Sequence, residues 1–126
     1  MSGVRDSGPD RERHEWMALP DEELARVREL LDAFCRARSG AGVTVAYQVR
    51  GNRVSLVETR PLFIDPTIGN SVNVAQFEFD PKLGVWTLYW YDRKNRRQPY
   101  PTGRNRDSLE KLIAEVGGDP TGIFWD

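Results

Sequence analysis

The chain has 126 residues, 39% of them apolar and 29% charged, with a formal net charge of −1. That length argues for one domain, which buries roughly two thirds of its unfolded surface and forms a core without staples. The near-neutral total excludes global steering toward nucleic acid, so any basic patch is local, and the single cysteine, Cys35, excludes an intramolecular disulfide or a cysteine-based metal site.

No apolar run approaches a membrane span, and charges stand where a signal peptide would carry its apolar region. With one unpaired cysteine, these features predict a cytoplasmic protein that does not associate with membranes. Residues 1–18, MSGVRDSGPDRERHEWMA, alternate in charge sign and are interrupted by Gly and Pro. They read as a disordered or loosely packed tail, with Trp16 and Met17 packing where the domain begins. A single α+β domain is expected over 19–126.

The first helix is expected over 20–38. Pro20 suits a first turn, and Asp21, Glu22 and Glu23 complement the positive end of the dipole. Leu24, Val27, Leu31, Phe34 and Cys35 follow helical spacing, so Cys35 reads as a small buried hydrophobe. Gly40 and Gly42 end the helix.

A hairpin follows. Residues 43–50, VTVAYQVR, alternate and meet Gly51-Asn52, a two-residue turn, and residues 53–60, RVSLVETR, return. This loop pairs Arg50 with Arg53, Val49 with Val54, Tyr47 with Leu56, Val45 with Glu58 and Val43 with Arg60. One face is then apolar until Glu58 and Arg60, which point inward, and Pro61 stops the strand. After a loop, LFIDPTIGNS, a second hairpin is expected from 72–80 and 85–92. Its four-residue turn sets Phe79 against Trp86, Phe77 against Leu88 and Ala75 against Trp90. The opposite face carries Val74, Gln76, Glu78, Thr87, Tyr89 and Tyr91.

A second helix should start near Asp107, with Asp107 and Glu110 at capping-box spacing, and close at Gly117-Gly118. Its stripe is Leu109, Leu112, Ile113 and Val116. The terminal Ile123, Phe124 and Trp125 should tuck back against the sheet. Helix, two hairpins and helix imply an α+β fold. Its antiparallel sheet has four to five strands, flanked by an N-terminal and a C-terminal helix. The absence of βαβ alternation disfavours dinucleotide and P-loop architectures, and neither glycine-rich phosphate motif occurs.

Chemistry is concentrated in residues 86–106, WTLYWYDRKNRRQPYPTGRNR. Two tryptophans and three tyrosines stand among six basic residues, with Asp92 the single acid. Such a segment can stack on flat groups and neutralise anions. Tyr89, Tyr91 and Tyr100 could stack on unpaired bases while Arg93, Lys94, Arg96, Arg97, Arg104 and Arg106 follow phosphates. Against this, Trp86 and Trp90 have the spacing of core residues, and a basic hairpin tip is commonly a solvated loop. An exposed sheet face bearing tyrosines with arginines at its rim also has the composition of interface hot spots. Glu58 and Arg60 resemble half of an ExK metal-dependent nuclease site, but the neighbouring strand supplies no second carboxylate, and Asp92 serves only if the second hairpin lies alongside. The competing reading is an inward ion pair at the open end of the sheet. His14, the only histidine, lies in the tail, which disfavours His-based catalysis.

The elements LPDEELARVRELLDAFCRAR, VETRP, WTLYWYDRKNRRQPYP and a terminal GIFWD resemble the bacterial family of domains of unknown function numbered 3024. The resemblance spans 19–126 and departs from the family pattern at Gln98-Pro99, where an aromatic is expected. It implies a fold-sized bacterial unit and supplies no activity, cofactor or catalytic residue.

The sequence therefore favours a non-catalytic binding module without cofactor or metal. Its partner is a protein or a second copy of the chain, met through Tyr89, Tyr91, Arg93, Arg96 and Arg97. Nucleic-acid binding through 89–106 is the alternative. A metal-dependent hydrolase or nuclease built on Glu58 and Arg60 ranks below both.

Overall fold

The computed structural model describes residues 18–125 except Phe63, Pro66 and Ile68. The expected tail, with His14, Trp16 and Met17, lies outside the described residues, save for Ala18. The elements in chain order are α1 (Asp21–Arg38), β1 (Thr44–Arg50), β2 (Arg53–Pro61), β3 (Gly69–Asp80), β4 (Val85–Tyr91), β5 (Arg97–Pro99), β6 (Arg106–Asp107) and α2 (Leu109–Gly118). The strands form one antiparallel sheet in the order β1-β2-β3-β4-β5, with β6 also on β4. This is the α+β architecture read from the sequence.

Both hairpins take the registers that their turns dictate. Arg50 pairs with Arg53, Tyr47 with Leu56 and Val45 with Glu58. Gly51 supplies the positive φ of 59° at the first turn position, as a glycine-led two-residue turn requires. Phe79 pairs with Trp86, Phe77 with Leu88 and Ala75 with Trp90. The expected Val43–Arg60 pair does not form: the β1–β2 ladder ends at Thr44–Thr59, and Val43 is bridged on its other side to Gly40 in the turn that leaves α1.

Where the two hairpins join, β3 begins at Gly69 rather than Val72, pairing Gly69 with Pro61. The register then shifts: Leu56 faces Ala75, but Val57 faces Asn73, leaving Val74 as an extra residue on β3. A bulge turns adjacent side chains toward one side, so Val74, expected on the wetter face, is 3% exposed. The fifth strand position is divided. β5 pairs with the far half of β4 and β6 with its near half. Between them the Leu88 carbonyl accepts from Tyr100 N at 3.0 Å, and Leu88 N donates to Asn105 O at 2.8 Å. The ladder therefore continues across the excursion.

Both helices lie on one face. Val27, Leu31 and Cys35 of α1 and Leu109, Leu112, Ile113 and Val116 of α2 share a core with Val54, Leu56, Phe77, Phe79, Trp86 and Leu88. α1 crosses the sheet diagonally. Its first turn meets β4, where Trp86 Nε1 donates to Glu23, and its later turns meet β1, where Tyr47 Oη donates to Asp32 at 2.7 Å. Burial and the nearby Asp32 push the Cys35 thiol up to about 11, as fits a packed hydrophobe. α2 is capped by Ser108, whose hydroxyl accepts from Lys111 N, and not by Asp107. Asp107 is still paired with Trp86 in β6, so the helix starts one residue later. Its end likewise falls at Asp119, in the left-handed region with φ 44°, after both glycines. The Asp119 carboxylate accepts from Phe124 N and Trp125 N, which folds the terminal aromatics back as expected.

Candidate functional site

The sheet face opposite the helices is bare of any described element. Alternation along β2, β3 and β4 brings Arg53, Ser55, Gln76, Glu78, Thr87, Tyr89 and Tyr91 to it. At its centre Arg97, from β5, lies with its guanidinium 3.8 Å from the Tyr89 ring centroid. The same guanidinium donates to Glu78 at 2.5 Å and to Gln76 at 2.9 Å. Glu78 also receives Arg53 at 3.1 Å, and Gln76 donates to Ser55 at 3.0 Å. A cross-strand chain thus runs from β2 through β3 to β5, over the face of Tyr89. Toward the hairpin turns, Arg106 reaches Asp80 at 3.4 Å and borders a shallow concavity of about 420 Å³. Asn52, Glu78, Thr87 and Tyr89 also line it. Asn52 is buried and ties the two hairpin turns together, donating from Nδ2 to Phe79 O at 2.8 Å.

At the other end of this face, Tyr91 sits beside the β4–β5 turn. Asp92 organises that turn. Its carboxylate accepts from the backbone of Lys94 and Arg96 at 2.9 Å each, from Arg96 Nε at 3.1 Å and from Gln98 at 3.0 Å. The Arg96 backbone N–H, with smaller help from Gln98, Lys94 and the Arg96 side chain, holds the Asp92 carboxyl below its usual range against some desolvation. Asn73 of β3 donates to Asn95 at 3.0 Å and pins the turn to the sheet. Tyr91, Asn73, Arg93 and Asn95 border a smaller concavity of about 270 Å³.

The five expected contact residues therefore separate into two groups. Tyr89, Tyr91 and Arg97 share the open face, with Arg97 already held by Glu78. Arg93 and Arg96 stand on the turn beyond it, with Arg96 paired to Asp92. Tyr100 is elsewhere: it is 1% exposed, stacks on Phe124 with centroids 5.2 Å apart and donates to Glu115 at 2.7 Å. It presents no ring to a ligand.

Glu58 and Arg60 lie on the helical side of the sheet as expected. They form a fork, Arg60 Nε to Oε1 at 3.2 Å and Nη2 to Oε2 at 3.3 Å. With Phe34, Arg38 and Val43 they line a cavity of about 480 Å³ at the end of α1. The second hairpin does lie alongside, but Asp92 spends its carboxylate on the turn. Among the described residues no group of three or more His, Cys, Asp and Glu is placed to hold a metal ion.

Sequence reasoning missed Glu78, Gln76 and Arg53 as the frame of the site. Glu78 and Gln76 do fall on the face opposite the core by alternation. Their meeting with Arg53 needs the β2–β3 pairing, which no turn dictates.

No curated protein and no solved structure matches this chain. The family model for the domain of unknown function DUF3024 matches residues 19–126, the helix-to-terminus unit just described, and the chain belongs to that family.

Proposed function

We propose that the chain is a non-catalytic module that binds a protein partner through its open sheet face, with Tyr89 and Tyr91 as the central contacts. The observation that carries this reading is the fixed Arg97–Tyr89 stack on a face that no described element covers. Interface hot spots favour Tyr and Arg held in place before binding, because little side-chain entropy is then lost on contact. Charge supports a protein partner over nucleic acid. Arg53, Arg97 and Arg106 each have a carboxylate of this chain within 3.4 Å. A phosphate backbone would compete with those carboxylates and meet Glu78 and Asp80 on the same face.

The test compares the chain with a Tyr89→Ala/Tyr91→Ala variant. A partner is captured by the first chain, purified, and titrated against both. The double substitution should raise the dissociation constant at least about thirtyfold, the effect of one hot spot of about 2 kcal/mol. Equal affinity for both chains would reject the open face. Fluorescence anisotropy with labelled single-stranded and duplex DNA and RNA across a salt series provides the other arm. Binding that weakens with salt and disappears in Arg96→Ala/Arg97→Ala would replace the protein reading with nucleic acid.

A further inference from the structure

We propose that β1 is a dimerisation edge, joining a second copy of this chain through antiparallel β1–β1 pairing about a two-fold axis at Gln48. This surface is the rim of the sheet and does not depend on the open-face reading.

The two rims differ. On the far rim the fifth strand is split into β5 and β6 and carries Pro99 and Pro101, devices that block strand addition. On the near rim, Thr44–Val49 contains no charge, no proline and no bulge, and only Arg50 ends it. Native sheets seldom leave such an edge open.

The chain itself covers half of this edge. Gly40 and Val43 exchange both backbone hydrogen bonds, at 2.8 and 2.9 Å. Ser39 Oγ accepts from Val45 N at 2.8 Å and donates to Val45 O at 3.4 Å. Val43 and Val45 therefore point their backbone groups away from β2, and by the alternation of an antiparallel ladder so do Tyr47 and Val49. Among the described residues no backbone hydrogen bond to Tyr47 or Val49 on this side is found. The free window is Tyr47–Val49.

That window decides the occupant. A flexible peptide would gain too few main-chain bonds there to offset its ordering. A second folded copy loses no chain entropy of that kind. The window is also self-complementary: Tyr47 meets the partner's Val49 and Val49 meets the partner's Tyr47, so each exchanges N–H and C=O. Gln48 faces the partner's Gln48 on the open side, and Arg50 faces the partner's Ala46, so no like charges are opposed. Further pairing stops at Val45, where Ser39 is in place. The diagonal of α1 leaves Val49 37% exposed on the helical side, the corner that the partner's Tyr47 would cover.

The experiment uses the full chain and cysteine variants at exposed positions, Cys35 being buried. In the proposed register, opposed Gln48 Cα atoms lie about 4.5–5.5 Å apart, within the roughly 4.4–6.8 Å that a disulfide spans. Equivalent Ala46 residues lie about 13 Å apart, four residues out of register at about 3.3 Å each. Sedimentation should give a concentration-dependent dimer for the unmodified chain. Mild oxidation should cross-link Gln48→Cys and not Ala46→Cys. Val49→Lys should raise the dimer dissociation constant at least about tenfold with unchanged circular dichroism. A chain that stays monomeric to about 1 mM, or Ala46→Cys cross-linking as fully as Gln48→Cys, overturns the proposal. So does a folded Val49→Lys that dimerises unchanged. Should Val49→Lys not fold, the cross-linking pattern decides alone.

Discussion

A guanidinium that stacks on Tyr89 and donates to both Glu78 and Gln76 has little rotamer freedom left. Arg97→Ala removes that frame but leaves Glu78 its second partner, Arg53. The stability cost should therefore be modest, about 1–2 kcal/mol in urea denaturation, as for a partly exposed charged hydrogen bond. Arg97→Lys should recover less than half of it, because an ammonium cannot stack flat and fork at once. Full recovery by lysine would mean that charge alone matters here. Asp92 makes the complementary case in pH. Its folded pKa is lowered below the ordinary 3.8, chiefly by the Arg96 backbone N–H. The unfolded chain then takes up the proton first, so the stabilisation is complete above that ordinary value and is lost as pH falls through the folded value. Asp92→Asn should flatten the acid limb of stability below about pH 4. An acid limb unchanged in slope would place the sensitivity in other carboxylates. Neither role could be read from the segment itself, where Arg96 and Arg97 look alike. What separates them is the neighbour each meets: Asp92 in the turn for one, and Glu78 across the sheet for the other.

At the scale of elements, legibility followed the turns. Gly51-Asn52 and the Pro81–Gly84 loop each fix a register through local geometry, so alternating side chains on either side could be paired from sequence. The β2–β3 join has no such turn, and the bulge at Val74 is a property of two strands meeting, which alternation on one cannot reveal. β6 is two residues long and has no pattern of its own. It exists because Leu88 and its neighbours on β4 still need backbone partners there. That unseen strand also displaced the start of α2. Asp107 has the residue type of a cap, but the ladder holds it, and Ser108 takes the role. Ser108→Ala should cost about 0.5–2 kcal/mol, the usual loss of an N-cap. Asp107→Ala, which loses only a distant contact to Lys111 at 4.0 Å and a local bond to Ser108 N, should cost less. The reverse order, measured by thermal unfolding, would restore Asp107 as the cap.

Across the whole molecule, most of the buried core and the proposed open-face contacts lie on opposite sides of the sheet, so the two can be separated. The terminal segment is the place to do it. Trp125 donates from its indole to Val116 O at 2.8 Å, and the Arg38 guanidinium lies 4.1 Å from its ring centroid while donating to Gly117 O. Phe124 is buried against Tyr100. Arg26 and Glu110 add an ion pair between the helices. The last residues thus join the end of α1, the end of α2 and the excursion between β5 and β6. Only half-buried, Trp125 should lose about 2–3 kcal/mol on replacement by Ala, below the range for a fully buried aromatic. None of these contacts reaches Tyr89, Tyr91 or Arg97. In urea titration Trp125→Ala should therefore lower the midpoint substantially, while partner affinity below the transition stays as in the unmodified chain. Tyr89→Ala/Tyr91→Ala should do the opposite, moving affinity more than midpoint. If Trp125→Ala weakens the partner as much as the tyrosine pair does, the binding surface lies on the helical side, and the cavity bounded by Arg38, Glu58 and Arg60 becomes the place to look.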